Sequence, residues 1–335
     1  MTTGTRLFTD IDYHKNGKQI GWIYMPHSVT RSAYGNIAIP LAVIKNGKGP
    51  TVFLMAGNHG DEYEGQIALC KLIRALEPGQ VNGRVIVIPA ANLPAALAGA
   101  RVSPIDQGNL NRAFPGDPDG TPTQQIAYYI DQVIYAMSDY HHDLHSGGSS
   151  LDYVPFASMR KTGNPELDKR TMAALLAFGA PNGVVWAYSH DRGFSSNSAI
   201  ARGIVALGSE FGGCGSVNVE NLAMVERGIC NLLAHAGVIE RERAASAPGP
   251  TKLWQVAARS YYVLAPEAGL FEPMAELGAR VEAGQVCGQV HFVDNPGRAA
   301  VSVSFQAMGM LICKRHPGRV ERGDCVAHLA TEWKK

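Results

Sequence analysis

The sequence predicts an α/β protein, with a mixed, mainly parallel sheet and helices on both faces, followed by a small C-terminal all-β domain. Three observations carry this prediction. From residue 51 to about 238, apolar runs of strand length alternate with segments whose apolar residues recur at helical spacing. Past a charged, then proline-rich stretch at 241–250, the chain changes to short β-like pieces and glycine turns. The 335 residues, 46% hydrophobic and 18% charged, suffice for two domains with a sizeable core. The expected domains are 1–245 and 252–335.

Residues 1–50 read as an introductory β region, with strand-like runs at 19–25 and 37–44 and a turn at Lys45-Asn46-Gly47-Lys48-Gly49-Pro50. Thr51-Val52-Phe53-Leu54-Met55 and Arg84-Val85-Ile86-Val87-Ile88 read as buried strands, and 66–76 as the helix after the first of them. Thr121-Pro122-Thr123 reads as the capped start of a helix over 124–137, with proline in its first turn. A strand-like stretch then leads to His145. Helices follow at 165–178 and 217–236, and strands at 183–188 and 204–211. Beyond 252, segments such as Tyr261-Tyr262-Val263-Leu264 and 285–290 are β-like.

The net charge of +1 gives no electrostatic reason to expect nucleic acid or an anionic membrane as partner. No apolar run reaches the roughly 18–20 residues of a membrane helix, and no secretion signal opens the chain. Cys70, Cys214, Cys230, Cys287, Cys313 and Cys325 are scattered, with no CxxC pair. They read as mostly buried thiols of a protein in a reducing cytoplasm.

Chemistry concentrates at the ends of the expected strands. In Ala56-Gly57-Asn58-His59-Gly60-Asp61-Glu62, an imidazole and a carboxylate stand three residues apart where a strand gives way to a helix. Ligand sites of open α/β sheets lie at such places. Alone, the pair would equally suit a helix-start turn. His145, in Asp143-Leu144-His145-Ser146, supplies a third ligand, and one zinc held by His59, Glu62 and His145 is the expectation. Asp143 stands two residues earlier, on the same face of a strand, and could orient that histidine. The loop 101–116 carries Arg101, Asn111 and Arg112, whose planar forks and neutral donor suit an anionic substrate as well as ordinary surface ion pairs. Glu210 ends a strand beside Gly208, Gly212 and Gly213 and suits either a general base or a structural ion pair.

With these residues in hand, the chain resembles the succinylglutamate desuccinylase/aspartoacylase family, relatives of the zinc carboxypeptidases. The matching segments are Gly57-Asn58-His59-Gly60-Asp61-Glu62, Asn109-Leu110-Asn111-Arg112-Ala113-Phe114-Pro115-Gly116, Asp143-Leu144-His145-Ser146 and Ser209-Glu210-Phe211-Gly212. The resemblance implies a zinc carboxypeptidase-like fold and zinc on His59, Glu62 and His145. It implies that Glu210 is general base and proton shuttle, and that Asn111 and Arg112 hold an amino-acid carboxylate. Arg101 would stand near the scissile carbonyl or the acyl end, and Tyr262 or its neighbour Tyr261 would reach substrate from the C-terminal domain. That domain looks like a biotinyl/lipoyl-type β sandwich without the carrier lysine, which points to a lid or assembly role. Within the family, the run 103–112 is most similar to the branch that deacetylates N-acetylated diamino acids in ectoine breakdown. The implied partner is a small N-acyl amino acid, with a homo-oligomer, a dimer favoured, as the implied assembly. A regulatory protein that only binds such compounds would need no base at Glu210.

Overall fold

The structure, a computed structural model, describes residues 4–187, 193–245 and 249–334. Tyr188, at the end of an expected strand, and Ser246-Ala247-Pro248 of the expected linker lie outside the described residues.

Four parallel strands form the centre, in the spatial order Gly83–Ile88, Thr51–Ala56, Tyr140–Leu144, Val205–Glu210. They are largely buried on both faces, so Thr51–Ala56 and Gly83–Ile88 read in sequence as near-continuous apolar runs, whereas Tyr140–Leu144 and Val205–Glu210 carry polar residues toward the site. Alternation sorts their side chains. Val52, Leu54 and Ala56 join one core with the helices Tyr63–Ala75, Pro165–Phe178 and Val219–His235, while Phe53 and Met55 join the opposite core. On one flank Asn36–Asn46 and Gly17–Pro26 add antiparallel strands. On the other, Phe156–Arg160 runs antiparallel to Val205–Glu210, and Asn182–Trp186 and Lys252–Val256 follow it in parallel. The sheet is mixed and mainly parallel at its centre, as expected.

The chain from 252 onward is all-β and lies in two layers. Cys325–Glu332 pairs with Lys252–Val256, so one layer continues the central sheet. The other is a separate antiparallel sheet of Val301–Ser304, Val286–His291, Gly269–Pro273 and Arg319–Val320.

Thr121 caps its helix as expected, accepting from the Gln124 amide while Gln124 returns a bond to the Thr121 amide. The helix is shorter than expected. It is α-helical over Pro122–Tyr129, widens to a π turn at Ile130–Ile134 and tightens at Tyr135–Met137. Side chains facing inward on this stretch meet fixed polar partners: Asp131 accepts from Arg202 Nη2 at 2.6 Å, and the Tyr135 hydroxyl lies 3.0 Å from His141 Nε2. Such tertiary bonds override the regular helical repeat.

His141 and His142, in the strand before His145, are core residues. His141 stacks on Phe53, and His142 packs edge-on against Phe178 at 4.8 Å. Burial lowers the first imidazole to about 4 and the second to about 3. A base whose folded pKa is depressed contributes stability that is fully present above its ordinary pKa and is lost as pH falls toward the folded value. Each such histidine adds a slope of about 1.4 kcal/mol per pH unit below pH 6.5. Urea unfolding from pH 7 to 4.5 is expected to show this decline, flattened by about 1.4 kcal/mol per pH unit in His142→Phe. An unchanged slope would contradict the assignment.

Candidate metal centre

The turn after Thr51–Ala56 is built by two glycines. Gly57 has φ +63°, and a Cβ on Gly60 would lie 2.0 Å from the Ala95 carbonyl carbon. Backbone packed this closely directs His59 and Glu62 inward. Glu62 occupies the N-cap of the helix Tyr63–Ala75 in extended conformation, yet makes no capping bond. Its carboxylate turns to the histidines instead, which disposes of the helix-start alternative.

His59 Nδ1 lies 2.6 Å from Glu62 Oε1, and His145 Nδ1 lies 2.7 Å from Glu62 Oε2. All three residues are buried, and one ligand atom from each falls within 4.8 Å of the others. The remaining ring nitrogens also face oxygen acceptors: His59 Nε2 is 3.2 Å from Asn109 Oδ1, and His145 Nε2 is 2.9 Å from Asp143 Oδ2. A neutral imidazole donates only one hydrogen bond. With both Nε2 atoms donating outward, two Nδ1 lone pairs and a carboxylate converge on one place. Such a cluster needs positive charge between its atoms, supplied either by a second proton on His145, whose proton affinity Asp143 and Glu62 raise, or by a divalent cation in that proton's place. The residues fit a metal, and the triad makes one metal site.

Charge follows the same geometry. Burial alone would raise the Glu62 carboxyl, but His59 and His145 overcome it and hold Glu62 below the usual carboxylate range. Burial lowers the His59 imidazole despite Glu62 beside it. Burial would also lower His145, but Asp143 and Glu62 raise it well above its ordinary value. Asp143 is itself fixed by Asn58 Nδ2 at 2.8 Å and the Ser195 hydroxyl. This is the orienting carboxylate anticipated two residues before His145.

Of the side chains singled out in the sequence, His59, Glu62, His145, Asp143, Glu210, Arg101, Asn111, Arg112 and Tyr262 line one cavity of about 430 Å³. Arg101 Nη1 stands 3.3 Å from Glu62 Oε1 at the cavity mouth. Asn111 is buried, accepting from the Ser195 amide at 3.0 Å, with its amide nitrogen 3.3 Å from His145 Nε2. The Arg112 guanidinium covers the Phe194 ring at 4.3 Å. Glu210 lines the cavity with Oε2 buried and without a partner among the described residues. Burial, then the Glu62 carboxylate, push its carboxyl well above the usual range, against His145 and Arg101. Of the two tyrosines, Tyr262 reaches the cavity, whereas the Tyr261 hydroxyl lies 3.2 Å from Thr331 Oγ1.

Several cavity residues escaped the sequence reading. The Arg160 guanidinium also lies over the Phe194 ring, at 4.3 Å, and Tyr153 and Trp186 line the cavity together with His328 of the C-terminal β layers. His328 interrupts an apolar strand, which was its only signal. Nothing local marks Arg160 or Phe194.

Comparison with known proteins shows the family. Residues 48–236 match the family described as the succinylglutamate desuccinylase/aspartoacylase catalytic domain. The N-alpha-acetyl-L-2,4-diaminobutyric acid deacetylase of Halomonas elongata is 41% identical over 322 residues, covering 96% of this chain and 93% of that protein. A succinylglutamate desuccinylase/aspartoacylase structure from Rhodobacter sphaeroides is 42% identical with a TM-score of 0.92, covering 98% of this chain and all of that one. The product-bound ectoine utilization protein EutE (DoeB) of Ruegeria pomeroyi is 38% identical with a TM-score of 0.93, covering 98% of this chain and 99% of that one. Among the described residues no helix is long and apolar enough to cross a membrane.

Proposed function

The chain belongs to the succinylglutamate desuccinylase/aspartoacylase family, and from that premise we propose that it hydrolyses N-α-acetyl-L-2,4-diaminobutyrate to acetate and L-2,4-diaminobutyrate. The observation that carries this reading is near-full-length similarity to a deacetylase of that name, at 41% identity. The cavity supports it with a metal triad and a buried carboxylate facing the same space.

Zinc is the metal we infer, since two imidazoles and one carboxylate are a donor set of catalytic zinc sites. Bound there, it supplies Lewis-acid activation of water and of the acyl carbonyl. The chain's own groups do the rest. Glu210 takes the proton of the attacking water and returns it to the leaving nitrogen, a role suited to a carboxylate that lines the cavity with Oε2 unpartnered among the described residues. Arg101 places positive charge at the mouth, beside Glu62, where the acyl oxygen gains charge. Asn111 and Arg112 hold the amino-acid carboxylate and fix the amide relative to Glu210. Tyr262 contacts substrate from the β layers, which close one end of the cavity as the domain 252–335 over the catalytic domain 1–245. We keep the expectation of a cytoplasmic homodimer, supported by six unpaired cysteines and by the exposed apolar side chains Phe8, Ile20 and Trp22 on the outermost strands.

A substrate panel tests the reading. Among N-α-acetyl-L-2,4-diaminobutyrate, N-succinylglutamate and N-acetylaspartate, the first is expected to give the highest kcat/KM, with acetate and the diamino acid as products. A higher value for either of the others would move the substrate within the family. Tight binding of all three with no product would make the protein a binding protein.

A further inference from the structure

Resting on the deacetylase reading, the question left open is what recognises the second, positively charged amine of the substrate. Among the described residues, the carboxylates lining the cavity are Glu62, Asp143 and Glu210, and all three belong to the metal end or its base. Beside these carboxylates runs a row of residues across four neighbouring strands. Tyr153 is paired with Cys313, Cys313 with His328, and His328 with Tyr262, the register being set by a bulge between Leu311 and Cys313. Residues paired in this way project to one face of the sheet. His328 is stacked between two aromatic rings, Tyr262 at 4.0 Å and Trp186 at 5.5 Å, nearly parallel to both.

His328 is the anomaly of this wall. It is 1% exposed, and neither ring nitrogen has a hydrogen-bond partner among the described residues. A buried polar group without a partner is costly, and a hydrogen-bond donor entering the cavity would relieve that cost. Burial lowers the imidazole to about 3, so at neutral pH one nitrogen carries a lone pair. A neutral imidazole accepts a hydrogen bond from an ammonium group, and the flanking aromatic faces favour a cation beside them.

We propose that His328 selects for the side-chain amine of the substrate, its imidazole accepting a hydrogen bond from the ammonium within the Trp186–Tyr262 stack. The specificity for a diamino acid then resides in the C-terminal β layers, and the chemistry in the α/β layers.

The test compares N-α-acetyl-L-2,4-diaminobutyrate with N-acetyl-L-norvaline, in which a methyl group replaces the ammonium, on the zinc-loaded enzyme. The wild type is expected to favour the charged substrate by about 10- to 100-fold in kcat/KM. His328→Phe keeps a flat ring in the stack and removes both nitrogens. It is expected to lose about 10- to 100-fold on the charged substrate and to leave the norvaline compound unchanged or faster. Calorimetric binding of the product L-2,4-diaminobutyrate is expected to weaken by a similar factor, with norvaline unaffected. Equal losses on both substrates, or an unaltered preference, would overturn the proposal. If the variant does not fold, the wild-type preference decides, since hydrolysis of the diamino compound with no preference for it overturns the role of His328 alone. Activity on neither compound overturns the deacetylase reading as well.

Discussion

Glu210→Gln is expected to lower kcat by about 10²–10⁴-fold, the range set by removal of a positioned general base. That loss corresponds to about 3–5 kcal/mol of transition-state stabilisation. The amide matches the carboxylate in shape, so metal content and KM should stay near the wild-type values. Stability gives an independent check. An acid whose folded pKa is raised withdraws stability as pH rises from its ordinary value through the folded one. Burial and the Glu62 carboxylate hold Glu210 in that position. The neutral amide removes the penalty, and Tm near pH 8 should be unchanged or higher. A slow, well-folded, metal-loaded variant therefore separates lost chemistry from lost structure. Turnover near the wild-type rate would take Glu210 out of the reaction.

The second large effect is expected at His59. In His59→Ala, Glu62 and His145 remain, but two protein ligands make a poor catalytic zinc site. Metal should be lost on dialysis and turnover should fall below detection. Added zinc should restore little activity, because the missing Nδ1 lay 2.6 Å from the shared carboxylate and nothing else occupies its place. The wild-type enzyme stripped by a chelator should instead regain full activity on adding back zinc. Rescue of both proteins alike would mean that His59 is dispensable.

The metal site was readable in the sequence because strand ends announce it. Thr51–Ala56 and Tyr140–Leu144 are parallel neighbours, with Met55 paired to Asp143 and Ala56 to Leu144. That register closes the 83-residue gap between Glu62 and His145 with no local spacing to show it. Val205–Glu210 lies on the far side of Tyr140–Leu144, so Glu210 comes out at the same edge. Strands that run parallel end together, and motifs that follow them meet.

The wall beside Tyr262 was not readable for the opposite reason. Tyr153, Trp186 and His328 reach the cavity through strands far apart in the chain and, in part, through a bulge, and of this wall only Tyr262 was named, from the resemblance. None of them carries a glycine-bounded motif. The stack becomes visible only when the register is known. The π turn at Ile130–Ile134 and the tighter turn at Tyr135–Met137 belong to the same class, since the polar partners of Asp131 and Tyr135 lie at the end of another helix and on another strand.

The central claim is that His59, Glu62 and His145 share one metal ion, and elemental analysis of the purified enzyme tests it most directly. The wild type, prepared without added metal or chelator, is expected to carry about one zinc per chain, and His59→Ala and His145→Ala almost none. Stoichiometric zinc retained in either variant, or active wild-type enzyme free of any divalent metal, would contradict it.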